Sequence, residues 1–295
     1  IFLGLNFSGN QAIHPDPDIW MPQAWVRNDS SLGISENRAT ESSRGGFASR
    51  WPVETILSRG YGLATVYCSD LVPDYPSGLD EGFYPLFYRP GQTQPDSSAW
   101  GAIGAWAWGL SLTLNFLETQ TDIRAHQVAL IGHSRLGKTA LLAGALDQRF
   151  AMVISNNSGC AGAALFRRRF GETIDAINDI APHWFNDRFP SYRHQEDSLP
   201  VDQHQFLALI APRPLYVGSA DQDLWADPRG EYLSAYHASA IYRLYGYPAL
   251  DNKKSPKSNR PLNQGRVAYH LRAGKHDLTL YDWEQYLDFA DKHLR

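Results

Sequence analysis

The stretch Val128–Ala140, VALIGHSRLGKTA, leaves the chain few options. Val128–Gly132 is a short apolar run with the length of a buried strand. Arg135–Asp147, RLGKTALLAGALD, is built of helix formers with apolar residues at helical spacing. Only His133 and Ser134 lie between them. No loop fits there, so a strand must turn sharply into a helix with Ser134 at the bend. Gly132 gives that bend room.

The rest of the chain repeats the alternation. Ile1–Phe7, Gly62–Tyr67, Met152–Ser155, Pro214–Gly218 and Val267–Ala273 read as further strands. Ala102–Leu117, Pro228–Tyr245 and Leu278–His293 read as helices. Residues 71–98 are rich in Pro and Gly and read as a long loop. Strands alternating with helices predict the α/β class, a mostly parallel sheet flanked by helices in a three-layer sandwich. In such sheets ligands gather at the carboxyl ends of the strands. Ser134 is expected at such an end.

A serine on a strand–helix turn is the context of a nucleophile elbow, which predicts an α/β-hydrolase fold. The usual motif is G-x-S-x-G, but here Gly137 falls one position late. Chain order in this fold is serine, acid, histidine. His276, in Gly274-Lys-His-Asp277 after the last strand, is the expected base. Asp221 and Asp223 both follow the strand Pro214–Gly218, and spacing alone does not choose the acid between them. Asp227 precedes Pro228 and reads as a helix cap. His133 reads as a packing residue.

Composition narrows the partners. A net charge of −4 and a pI near 6.2 argue against nucleic acid. No apolar run reaches the roughly 18 residues of a membrane-spanning helix, so no membrane partner is expected. No His, Cys or carboxylate cluster has metal spacing, so neither metal nor other cofactor is expected. The two cysteines, Cys68 and Cys160, do not make a disulfide framework. The chain opens directly on a strand, without the signature of a signal peptide. Either a leader was removed or the sequence starts inside a longer chain. Residues 1–295 are read as one catalytic domain, expected to act as a monomer.

Several long motifs in one order carry a resemblance across nearly the whole chain. They are GHSRLGKTAL at 132–141, SNNSGCAGAAL with RRRFGET at 155–173, LPVDQHQFLALIAPRPLYV at 199–217, DLWADPRGEYLSA at 223–235, and GKHD at 274–277. Together they resemble the glucuronoyl esterases of carbohydrate esterase family fifteen, bacterial branch. That family cleaves esters between glucuronic acid of xylan, often 4-O-methylated, and lignin alcohols. The resemblance implies Ser134 as nucleophile, His276 as base and Arg135 as a guanidinium donor to the oxyanion. It implies Lys138 and Glu172 as partners of sugar hydroxyls, and Trp225 stacked on or beside the glucuronate. It also implies a secreted or periplasmic protein.

Two departures matter. Many members place a glutamate 23 residues after the serine, where this chain has Asn157. An amide carries no charge to stabilise an imidazolium, so the acid is expected from the later loop, Asp223 before Asp221. Fungal members join the residue before the serine to the residue after the histidine by a disulfide; here those residues are His133 and Asp277. The rival readings are another carbohydrate esterase such as an acetyl xylan esterase, a peptidase, and a non-catalytic carbohydrate-binding protein on a hydrolase scaffold.

Overall fold

The computed structural model describes all residues 1–295. Its centre is one sheet of six parallel strands: β1 (Phe2–Asn6), β2 (Leu63–Tyr67), β3 (Ala129–His133), β4 (Met152–Asn156), β5 (Leu215–Ala220) and β6 (Val267–Arg272). Eight α-helices accompany them: α1 (Val53–Ser58), α2 (Cys68–Leu71), α3 (Ala102–Glu118), α4 (Arg135–Leu146), α5 (Ile174–Ile180), α6 (Gln203–Ala208), α7 (Pro228–Leu244) and α8 (Leu280–His293). The strand order is β2-β1-β3-β4-β5-β6. The chain first steps outward from β1 to β2, then crosses back to β3 and proceeds the other way. Strand order therefore reverses at β1 and β3, the place where open α/β sheets hold their ligands. Ser134 follows β3 directly.

Both sheet faces are covered, because alternate side chains point to opposite sides. Phe2, Ala129, Ile131, Met152, Ile154 and Tyr216 meet α8 through Trp283, Tyr286 and Phe289, with Ile56 of α1. On the other face, Leu3, Leu5 and Leu130 pack on α3 and α4. Val153, Leu215, Val217 and Tyr269 pack on α6 and α7. A sheet buried on both faces needs continuous apolar strands, and β3, β4 and β5 are buried at every residue. Each such aliphatic or aromatic side chain contributes roughly 1.5–3 kcal/mol relative to exposure.

The elements read from the sequence recur with ends shifted by a residue or two. β5 extends to Ala220 rather than stopping at Gly218, which brings the carboxylates of the next loop close to the sheet end. Residues 71–98 are mostly loop, but the segment begins at the end of α2 and holds two short 3-10 turns, Gly78–Asp80 and Tyr84–Phe87. The sequence reading did not include α1, α2, α5 or α6, which have six, four, seven and six residues. Those lengths hold too few turns for periodicity to register.

Candidate active site

The elbow is built by close packing. Ser134 adopts φ 57° and ψ −132°, a conformation side chains avoid and that costs on the order of 1–3 kcal/mol. It is held there by its N–H, which donates to Asn156 O on β4 at 2.9 Å, and by Gly137 N–H, which donates to its carbonyl at 2.8 Å. A side chain at Gly132 would meet the Leu136 carbonyl oxygen at 2.0 Å, so the strand and the first turn of α4 close only over a glycine. The first two N–H groups of α4, those of Arg135 and Leu136, have no intrahelical partner, and they follow the serine directly.

Ser134, Arg135, His133 and His276 line one cavity of about 250 Å³. Arg27, Arg50 and Asp29 complete its rim with Phe7 and Phe47. Three guanidiniums line it, two of them paired with carboxylates behind the lining, Arg50 with Asp277 at 2.7 Å and Arg135 with Asp74 at 2.6 Å.

Of the two candidate acids, Asp223 is the one against the imidazole. His276 Nδ1 donates to Asp223 Oδ2 at 2.5 Å. Asp223 is almost fully buried, and its Oδ1 accepts from Ala226 N–H at 3.3 Å. Asp221 points elsewhere. Its Oδ1 accepts from Gly274 N–H at 2.9 Å and its Oδ2 from Ser258 Oγ at 2.6 Å. The Ser258 bond, followed by that of Gly274, holds this carboxyl below its usual range. Asp221 thus ties down the start of the histidine loop. Asp227 caps α7, accepting from Gly230 N–H at 3.0 Å, and pairs with Arg168 at 2.7 Å.

Asn157 is not placed against His276. Its Nδ2 donates to Asp277 O at 2.9 Å and to Asn156 Oδ1 at 3.1 Å. Asp277 is held further by Arg50 Nε on its side chain, at 2.7 Å, and by Arg272 Nη2 on its carbonyl, at 3.0 Å. The two positions of the fungal disulfide are thus occupied by a polar clasp at Asp277 and by a ring contact at His133. His133 does more than pack: its ring lies 4.7 Å from that of His276, tilted by 38°. Its Nδ1 bonds Asn156 Oδ1 at 2.7 Å. Burial first, then the neighbouring His276, pushes His133 well below the usual imidazole range, so it is neutral.

The cations after the serine separate. Arg135 borders the Ser134 cavity, but Lys138 does not share that mouth. Lys138 is 3% exposed, and its Nζ donates to Ser158 O at 2.7 Å, Cys160 O at 2.6 Å and Glu172 Oε2 at 2.7 Å. An ammonium has three donors, and all are engaged. Cys160 takes part through its carbonyl; its thiol is free and buried, and burial pushes it up. Trp225 is 47% exposed, and its carbonyl accepts from Glu172 N–H at 2.7 Å. Lys138, Glu172 and Trp225 therefore form one connected patch.

The sequence reading missed Asp74, His183 and Trp184, which gather around Arg135. Asp74 lies in irregular chain and His183 and Trp184 on the short 3-10 turn Pro182–Trp184, all far from the serine in sequence. A long Pro-rich loop is a weak signal, and it named no residue.

The chain has relatives among known esterases. Residues 78–246 match the family model described as glucuronyl esterase, fungi. The chain is 52% identical over its whole length to carbohydrate esterase MZ0003 of an unknown prokaryotic organism, and covers 68% of that protein. It is 33% identical over 55% of its length to a 4-O-methyl-glucuronoyl methylesterase of Wolfiporia cocos, and spans 41% of that longer protein. A solved structure described as a promiscuous CE15 esterase from a marine bacterial metagenome superposes with a TM-score of 0.92 at 52% identity, over 99% of this chain and 73% of that one. The chain is a carboxylic ester hydrolase with an α/β-hydrolase fold, and it belongs to the bacterial branch of the glucuronoyl esterases, carbohydrate esterase family 15.

Proposed function

We propose that this hydrolase cleaves the ester between glucuronic acid of xylan, with or without a 4-O-methyl group, and an alcohol of lignin. The observation that carries the reading is the His276–Asp223 pair, 2.5 Å apart, with its imidazole in the same cavity as Ser134.

The chemistry is two-step acyl transfer. His276 takes the proton of Ser134 Oγ as the oxygen attacks the uronate carbonyl. Asp223 fixes the imidazole with its proton on Nδ1, leaving Nε2 to act as base, and stabilises the imidazolium that results. The first N–H groups of α4 and the Arg135 guanidinium stabilise the oxyanion. The leaving alcohol takes its proton from His276. Water, activated by the same imidazole, then attacks the glucuronoyl-serine ester and frees the acid. The released carboxylate leaves from a rim bearing Arg27 and Arg50.

Lys138, Glu172 and Trp225 serve the sugar. Because Lys138 has no spare donor, a sugar hydroxyl meets this patch by donating to Glu172. It receives a bond from Lys138 only by displacing a protein acceptor. The half-exposed indole of Trp225 offers a flat apolar face to the C–H side of a pyranose. The substrate is a cell-wall polymer, so the enzyme acts in a secreted or periplasmic setting. Every group named belongs to one chain, so a monomer suffices.

A second reading is a broader esterase that also accepts simple acyl esters. It is favoured by the relative described as promiscuous. Competition between methyl glucuronate, acetylated xylan and an aryl acetate decides between them. We expect kcat/KM to be highest on the glucuronate ester. A higher value on acetylated xylan would overturn the reading.

A further inference from the structure

The segment after β2 carries a buried carboxylate that the chemistry above does not use. Asp74 is 4% exposed. Its Oδ1 accepts from His183 Nε2 at 2.9 Å and from Trp184 Nε1 at 2.8 Å. Its Oδ2 lies 2.6 Å from Arg135 Nε. Those two atoms are not aligned as a hydrogen bond, and neither has another protein partner. The contact is one of charge on charge in a dry place, where such attraction is strongest. Burial alone would raise this carboxyl, but the His183 bond, the Arg135 charge and the Trp184 bond outweigh it and hold it at about 2. Asp74 is therefore an anion wherever the esterase would work.

The guanidinium is held on its faces as well. Its central carbon sits 4.4 Å from the centre of the Phe7 ring and 5.7 Å from that of Trp184. Asp74 is the side chain's only ion-pair partner, and it occupies the Nε edge. The terminal nitrogens are left for another acceptor, and Arg135 borders the cavity of Ser134. A long side chain otherwise free to turn is thereby fixed in one pose.

We infer that Asp74 is a positioning residue for Arg135, holding the guanidinium by its Nε edge so that its terminal N–H groups meet the oxyanion formed at Ser134. The inference rests on the reading of Arg135 as an oxyanion donor. Stabilisation of this kind acts only if the donor is in place before charge develops. His183 and Trp184, adjacent on one turn, fix Asp74 in the same way that Asp74 fixes Arg135.

The test is a double-mutant cycle of Asp74→Asn and Arg135→Leu, read on methyl glucuronate and on an aryl acetate. Asp74→Asn is expected to lower kcat by about 10²-fold with KM little changed, the cost of a misplaced catalytic group. Asp74→Glu should recover part of that loss. In the Arg135→Leu background, Asp74→Asn should add no further loss, because the group it positions is gone. Losses that multiply in the double variant would overturn the inference, as would a change confined to KM. If Asp74→Asn does not fold, Trp184→Phe removes one donor to Asp74 and should lower kcat by a smaller factor. Unchanged kcat there would also overturn it. The aryl acetate arm keeps this result separate from the glucuronate reading, since its oxyanion needs Arg135 too.

Discussion

Two loops reach the histidine from neighbouring strands, and they carry opposite kinds of group. The loop after β4 brings Asn157, an amide that donates to the Asp277 carbonyl. The loop after β5 brings Asp223, a carboxylate that accepts from His276. Both side chains are buried, and their loops follow adjacent, paired strands. What distinguishes them is the direction of the hydrogen bond. A carboxylate is acceptor-only, and at position 157 it would face two oxygens, Asp277 O and Asn156 Oδ1. Asn157 is thus more than a neutral neighbour of the imidazole's loop. It is a donor that closes the histidine loop onto the end of β4.

The comparison fails or sharpens first at Asp223. Asp223→Asn should lower turnover on the order of 10⁴-fold, as expected when a triad acid becomes its amide and the imidazole tautomer is lost. Asp221→Asn should cost far less, because Asp221 contacts Gly274 and Ser258 rather than His276. Adding Asn157→Asp to Asp223→Asn should recover no turnover, since the new carboxylate meets two acceptors and removes the donor to Asp277. Steady-state kinetics on the three variants checks the ranking. Recovery by Asn157→Asp would show that the two loops are interchangeable.

A smaller effect is expected beneath the β4 loop. Glu231 is fully buried and accepts from Ser158 N–H at 2.7 Å, Gly159 N–H at 3.0 Å and Ser219 Oγ at 2.6 Å. It thus joins the turn after Asn157 to the end of β5. Burial raises its carboxyl from 4.5 to about 7, despite the three bonds. The folded state then holds this proton more tightly than the unfolded chain does. The stability contributed is full below pH 4.5, falls as pH rises to about 7, and is flat above that. The fall is on the order of 3 kcal/mol. Glu231→Gln should remove it, which urea melts at about pH 5 and about pH 8 would read as a smaller difference between the two. An unchanged difference would place the titration elsewhere.

Ser134, His276 and the strand-end carboxylates were legible because their signals are local. A strand running into a helix without a loop admits little besides an elbow, and the order of serine, acid and histidine follows the order of strands. The choice of Asp223 over Asp221 was not legible from spacing. It depends on which carboxylate the turn Leu224–Ala226 aims inward, and on Gly274 and Ser258 engaging the other. Lys138 lies one helical turn from Arg135, but it does not line the same cavity. The carbonyls of Ser158 and Cys160, supplied by a different strand-end loop, draw it into the interior. Asp74 was invisible for the same reason: its partners come from α4 and from the turn Pro182–Trp184, and no pattern along the chain joins them. The parallel sheet follows from the alternation of strands and helices, whereas α1, α2, α5 and α6 are too short to declare themselves and are fixed by what they pack against.

The most direct test of the whole account is the rate of methyl glucuronate hydrolysis by Ser134→Ala, with its folding verified by circular dichroism, against the unaltered chain. A loss on the order of 10⁶-fold is expected, as in another serine hydrolase stripped of its nucleophile. Near-normal turnover by the folded variant would contradict it.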